Sequence, residues 1–309
     1  MGVTIPSGLA KWLWPLAVGN ILANIGIVVT GAAVRLTGSG LGCPTWPQCT
    51  EESYRPHGEL GWHGAIEFGN RLLTFVLAAV AIACFLAALA SRDRIAIRLS
   101  FLIGLYIPIQ AVIGGITVLT DLNPWVVSLH FLSSMVIIMF CLALLDHLRS
   151  PTRAEAPAAS RLVAMVVFVS GWAVLYLGTV VTGAGPHAGD EDARRNGLDP
   201  EVASLLHAGS VAVLVVATVV LLVLAVRAGD RWLTVVTSAL LALELAQGAV
   251  GWVQYLNELP VLLVAVHMLG AGLIAAGMAR VLFAVRAHES HAQHTGRLLA
   301  WAAGLSRRT

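Results

Sequence analysis

Two histidines, His207 and His267, and a polar stripe formed by His63, Glu67 and Asn70 with Arg71 beside it are the residues of this chain best suited to chemistry. His207 and His267 each fall near the outer start of an apolar segment, at a depth where an unpaired polar ring is costly. Two imidazoles at equivalent depth can face one another as axial ligands of a haem iron held inside a helical bundle. The competing reading is two separately packed histidines, each bonded to Ser, Thr or backbone of a neighbouring helix. A metal centre without haem is disfavoured, because no acidic or cysteine ligand recurs near the pair.

His63, Glu67 and Asn70 are spaced by four and then three residues, so they project from one helix face. Together with His130 they make a candidate reaction pocket. In it His130 would orient or ligate a substrate's iron, and Glu67 would manage a proton or stabilise a developing positive charge. His63 or Asn70 would be a second contact. The alternative for Glu67 is simply half of an ion pair with Arg71 or another helix. Cys43 and Cys49 sit in Gly40-Leu-Gly-Cys-Pro-Thr-Trp-Pro-Gln-Cys49, where an oxidising compartment permits a disulfide; zinc binding by two thiols is the weaker alternative. Cys84 and Cys141 lie deep in apolar segments and read as small hydrophobic residues. His57, His187, His147, His288, His291 and His294 are expected to be mostly solvated.

The elements that must carry these residues follow from composition. With 58% hydrophobic and 12% charged residues among 309 and a mean hydropathy of +0.82, the chain is too apolar for a soluble domain. A net charge of +2 gives no nucleic-acid footprint. Runs able to span hydrocarbon occur at 12–34, 66–90, 99–119, 125–145, 161–183, 202–226, 232–254 and 260–285. The expected fold is therefore all-α and integral to the membrane, with eight transmembrane helices. The first run follows Lys11 without a small-residue cleavage site and reads as a retained helix. Arginines concentrate at alternate connections, from Arg92, Arg94 and Arg98 through Arg149, Arg153 and Arg161 to Arg227, Arg231 and Arg286. That pattern predicts those connections and both termini to be cytoplasmic, in a multi-pass protein of the cell membrane, bacterial plasma membrane by preference.

The chain also repeats itself. Gln110-Ala-Val-Ile-Gly114 before His130 recurs as Gln247-Gly-Ala-Val-Gly251 before His267, a shift of 137 residues. Val-Val-Thr-Gly-Ala at 28–32 recurs at 180–184. Four helices followed by four in the same orientation predict two pseudo-symmetric four-helix bundles as parallel repeats. The organisation expected is an N-terminal half at 1–149 with the reaction site and the cysteine loop, and a cytoplasmic linker at 150–160. A C-terminal half at 161–286 and a cytoplasmic tail at 287–309 complete it. Pro151, Pro157 and several alanines suit a flexible linker. The same shift carries His207 back to Asn70, so one half pairs His207 with His267 and the other pairs Asn70 with His130.

The run Thr37-Gly-Ser-Gly-Leu-Gly-Cys-Pro-Thr-Trp-Pro-Gln-Cys49, then Glu67-Phe-Gly-Asn-Arg71, then His207 and His267, resembles the haem A synthase family over nearly the whole chain. The resemblance implies oxidation of a methyl group of haem O to a formyl group by successive hydroxylations, supplying haem A to terminal oxidases. It implies a haem b held by His207 and His267 in the second half, and substrate haem O in the first. Glu67 and His130 match the family's glutamate and one of its two substrate-site histidines, and Asn70 stands at the other. Three accounts stay open there: His63 substitutes, the iron is five-coordinate on His130, or the activity differs from the family's. Implied partners are a haem O synthase, oxidase assembly factors and an unidentified electron acceptor. The rival reading is a bis-histidine membrane cytochrome b that relays electrons without modifying haem; a transporter is disfavoured, since no discontinuous helix is evident at midplane.

Overall fold

The computed structural model describes residues 6–56 and 58–288. In hydrocarbon every backbone polar group must pair within its own segment or barrel, so long apolar runs become helices. Among the described residues these are α1 (Leu13–Leu36, after a 3-10 turn at Ser7–Trp12), α2 (Gly61–Ser91), α3 (Arg94–Leu119) and α4 (Pro124–Arg149). They are followed by α5 (Ala158–Ala184), α6 (Pro200–Arg227), α7 (Arg231–Leu256) and α8 (Val261–Ala284). All eight are long and apolar enough to cross a membrane, as the sequence predicts, and the chain is a multi-pass membrane protein. Phe75, Leu205 and Leu262 remain 72%, 73% and 74% exposed, an apolar outer surface whose natural solvent is lipid.

Polar residues just outside the apolar runs set where helices begin. Asp93, Asn123, Asp199 and Asp230 are N-caps whose carboxylate or amide oxygens accept the first free amides of α3, α4, α6 and α7. Pro124 and Pro200 occupy first-turn positions, where no amide is needed. The caps Asp93 and Asp230 stand 137 residues apart, and so do the connections around them. Arg92 ends α2 in the left-handed region, where Gly229 follows α6. Between α3 and α4 Asp121 and Leu122 both have positive φ, and between α7 and α8 so do Glu258 and Leu259. In the first of these turns Leu122 N–H donates to the Thr117 carbonyl at 2.8 Å; in the second Leu259 N–H donates to Gln254 at 2.8 Å. Two successive non-glycine residues in that region are uncommon, so their recurrence at one spacing marks the same turn built twice.

Such short connections make sequence neighbours antiparallel. α1 and α3 each pack against α2 and α4, closing a ring with α2 and α4 on opposite corners. α5 and α7 each pack against α6 and α8 in the same way, leaving α6 and α8 on opposite corners. The rings meet through α1, α4, α5 and α8. One apolar core gathers Met135 and Ile138 of α4 with Val167, Leu221 and Met278; the other fills the first ring around Ala81, Ile103 and Leu144.

The linker differs from expectation. Arg153 and His288 exchange backbone hydrogen bonds of 3.0 Å, and Ala156 N–H donates to Val285 at 3.0 Å. The cause is Asp146, buried at the end of α4: its carboxylate takes Arg153 at 3.1 Å, Arg280 of α8 and Ser150. Arg153 also donates to the Phe283 carbonyl at 2.8 Å. A buried carboxylate needs such partners, and satisfying it converts a proline-containing linker into a strap fastened to α4 and α8.

Candidate functional site

The loop between α1 and α2 is seated on the start of α2. Cys43 and Cys49 form a disulfide, and the short ring they close points its backbone at Glu67 and Arg71. Glu67, 5% exposed, accepts the Cys43 amide on Oε2 at 2.6 Å and Arg71 on Oε1 at 2.5 Å. Arg71 spends its remaining donors on the carbonyls of Cys43, Thr45 and Gln48 at 3.0, 2.9 and 3.1 Å. The fork of a guanidinium suits this convergence of a carboxylate and three carbonyls. Trp46, carried by the same loop, lies against Gly115 of α3, where an added Cβ would come within 2.3 Å of its ring. His63 Nδ1 and Ser39 Oγ are 3.0 Å apart, and the His63 ring stacks on Trp62 at 3.9 Å. His63 and Glu67 thus both face the loop.

Asn70, one turn deeper on α2, turns to α1: its Oδ1 accepts from Thr30 Oγ1 at 2.7 Å. His130 lies near the start of α4, on the corner opposite α2. Its ring packs over Gly114 of α3, where a Cβ would sit 3.1 Å from Cε1. Beneath it Gln110 donates to Ser134 Oγ at 2.8 Å, bracing α3 against α4. In the second half His207 and His267 occupy the opposite corners α6 and α8 within electrostatic reach of each other. His207 packs over Gly178 of α5 and His267 over Gly251 of α7, where added Cβ atoms would lie 3.2 and 3.4 Å from the rings. Each of the three imidazoles therefore rests on a glycine of the adjacent helix. The residue equivalent to Gly178 by the 152-residue shift of helices one and five is Gly26, and no atom lies within 4 Å of a Cβ placed there.

The Nδ1 atoms of His130 and His267 are buried without a hydrogen-bond partner, and the Val174 backbone lies beside the His207 ring. Two half-buried imidazoles on opposite corners of one ring supply the donor type of a bis-histidine haem. Among the described residues no group of three or more His, Cys, Asp and Glu is arranged to hold a metal ion.

The other histidines depart from expectation. His147 pairs with Asp93 at 2.7 Å, His187 donates to the Leu259 carbonyl at 3.0 Å, and His288 is held in the strap near Asp146. These three meet protein because helix ends and loops fold over them. His57, His291 and His294 lie outside the described residues. Several polar residues of the helices escaped the sequence reading, among them the buried Asn20, Asn24 and Asp146. Glu244, 2% exposed in α7, accepts from Thr218 at 2.9 Å; a lone acid inside an apolar run was the available signal. Arg35, at the end of α1, reaches across to the Thr182 carbonyl at 2.7 Å.

The profile of the cytochrome oxidase assembly protein family matches residues 14–65 and 62–189. A haem A synthase of Geobacillus thermodenitrificans is 34% identical over 147 residues, 46% of this chain and 45% of that protein. One from Exiguobacterium sibiricum is 28% identical over 171 residues, 52% and 55% of the two chains. One from Geobacillus kaustophilus is 31% identical over 139 residues, 43% of each. The chain thus spans about half the length of the curated relatives it matches. With its eight membrane helices and its disulfide loop on Glu67 and Arg71, the chain belongs to the cytochrome oxidase assembly protein family.

Proposed function

We propose that this protein is a haem A synthase that oxidises a methyl group of haem O to a formyl group by successive hydroxylations. The observation that carries the reading is that His130, His207 and His267 each pack over a glycine of the neighbouring helix, in a chain similar to proteins named haem A synthase. His207 and His267 hold haem b, which when bound supplies one-electron transfer. His130 holds the iron of the substrate haem O in the first half, with Asn70 and His63 at its edge.

Glu67 is the catalytic carboxylate. Its charge, fixed by Arg71 and the Cys43 amide, stabilises positive charge developing on the substrate without reorganising. Trp46 and the disulfide loop cover this end of the ring and exclude water. The two rings are parallel repeats of one plan, with the halves at 1–149 and 161–286 joined by the strap, and both termini are cytoplasmic in the cell membrane. A haem O synthase in the same membrane hands over the poorly soluble substrate, and an electron acceptor completes the reaction.

The test is haem extraction from membranes carrying this chain and a haem O source, comparing wild type with Glu67→Gln. Haem A from wild type alone is expected. Haem b retained in both with no haem A in either would replace this reading with that of an electron-relaying cytochrome.

A further inference from the structure

At the seam between the two halves Arg35 is half-buried, its Nε fully so, with no carboxylate to meet its charge. Arg35, at the end of α1, lines a small cavity with Thr182 and His187 of the second half and with Val264 and Met268 of α8. Its terminal nitrogen donates to the Thr182 carbonyl at 2.7 Å, while Nε is buried without a partner. Arg195 approaches closely enough to act on the same charge, and its own bonds go to the carbonyls of Ala193 and Pro186 at 2.6 and 2.9 Å. Among the described residues neither arginine forms an ion pair. The loop between α5 and α6 packs on Arg35, with Gly40 N–H donating to the Gly189 carbonyl at 2.8 Å, while Arg195 stays exposed.

A buried guanidinium is costly unless an anion answers it, and its planar fork is shaped for a carboxylate. The position says whose carboxylate. Thr182, which receives Arg35, donates its hydroxyl to the Gly178 carbonyl at 2.7 Å, and Gly178 is the seat of the His207 ring. Met268, on the other wall, follows His267 in the chain. The cavity therefore opens beside both proposed haem ligands of the second half. A haem carries two carboxylate side chains at one edge, and a haem between His207 and His267 can direct that edge to the seam.

The geometry points to Arg35, assisted by Arg195, as the anchor for a propionate of the haem held by the second half. This rests on the proposed haem site. It means that a first-half helix supplies part of the second half's binding site, so the two halves share one haem. Arg35 acts by position and charge and touches no reacting atom.

The test uses the full haem-loaded chain in nanodiscs, comparing wild type with Arg35→Gln and Arg35→Lys. Two readings are taken: the reduction midpoint of the bis-histidine haem, and its propionate bending mode in resonance Raman, which follows hydrogen bonding to the carboxylate. Arg35→Gln removes a charge that favours the reduced iron, so the midpoint falls and the bending mode moves. Arg35→Lys keeps the midpoint nearer wild type but still moves the mode, because the fork is lost. Haem retained in Arg35→Gln with both readings unchanged overturns the anchor. If Arg35→Gln holds no haem, an unmoved mode in Arg35→Lys overturns it. A phospholipid that co-purifies with wild type and is lost in Arg35→Gln, with the mode unmoved, would assign the site to a lipid headgroup instead. Absence of any bis-histidine haem spectrum from wild type would strike the proposed function, a result separate from these.

Discussion

Arg71 and Glu67 meet at 2.5 Å one helical turn apart on α2, and the disulfide loop is threaded through that pair. Arg71 binds three loop carbonyls and Glu67 binds a loop amide. Removing Arg71 leaves the Glu67 charge uncompensated, a loss of about 3 kcal/mol for a buried pair, or about 100-fold in the docked fraction of the loop. Arg71→Met should therefore speed reduction of Cys43–Cys49 by a mild phosphine by about two orders of magnitude, followed by maleimide trapping and mass analysis. Glu67→Gln still accepts the Cys43 amide and should show a much smaller increase. Equal reduction rates in wild type and Arg71→Met would mean that the loop is held by something else.

Asn70 and Gly26 define a second experiment. Asn70 reaches only as far as Thr30, and the space over Gly26 is open, where the second half has His207 over Gly178. Asn70→His should place an imidazole over Gly26, opposite His130, and give the substrate haem a second nitrogen ligand. Loaded with haem O, this variant should show an additional low-spin bis-histidine signal by electron paramagnetic resonance. An unchanged spectrum would show that the two glycines are not equivalent seats.

The glycine seats themselves are testable in pairs. Gly178→Val puts a branched side chain where even a Cβ is 3.2 Å from His207, and overpacking of this kind costs about 1–3 kcal/mol. Haem b content, measured as the pyridine haemochrome, should drop by roughly fivefold to 100-fold by that cost. Gly26→Val meets no neighbour within 4 Å of its Cβ and should leave haem b content unchanged. Similar content in both variants would remove the seat from the account of His207.

These experiments depend on features of very different visibility in the sequence. The eight spans were legible because hydrocarbon demands about 20 apolar residues of each; most helices extend beyond the runs by a few residues, at starts set by caps such as Asp93 and Asp199, whereas α8 falls one residue short at each end. The shift of 137 residues was visible in Gln110 and His130 against Gln247 and His267. Its clearest structural mark, the left-handed pairs Asp121-Leu122 and Glu258-Leu259, was hidden because no glycine announces them. Glu67 was ambiguous for a physical reason: Arg71 four residues on is an evident partner, whereas the Cys43 amide is a tertiary contact across 24 residues. Arg35 was legible only as a charge, since its meaning comes from Thr182, 147 residues away. The linker's prolines suggested freedom, and only the buried Asp146 explains why it is tied down.

That strap should respond to pH through His288. Its ring is pushed below the ordinary histidine value of about 6.5, first by desolvation and then by the positive charges of Arg153, His147 and Arg280, with Asp146 pulling the other way. Released from the strap, the same imidazole binds a proton at its ordinary value. The released state therefore holds more protons between the lowered value and about 6.5, so attachment is stronger at the top of that window and weakens as pH falls through it. Amide hydrogen exchange at Arg153 and His288, whose mutual bonds are 3.0 Å, reports the attachment directly. After correction for intrinsic rates, protection should be full above pH 7 and decline below about 6.5. In His288→Gln it should be flat across the same range. Protection that rises on acidification, or a decline that survives His288→Gln, would place the titrating group elsewhere in the Asp146 cluster.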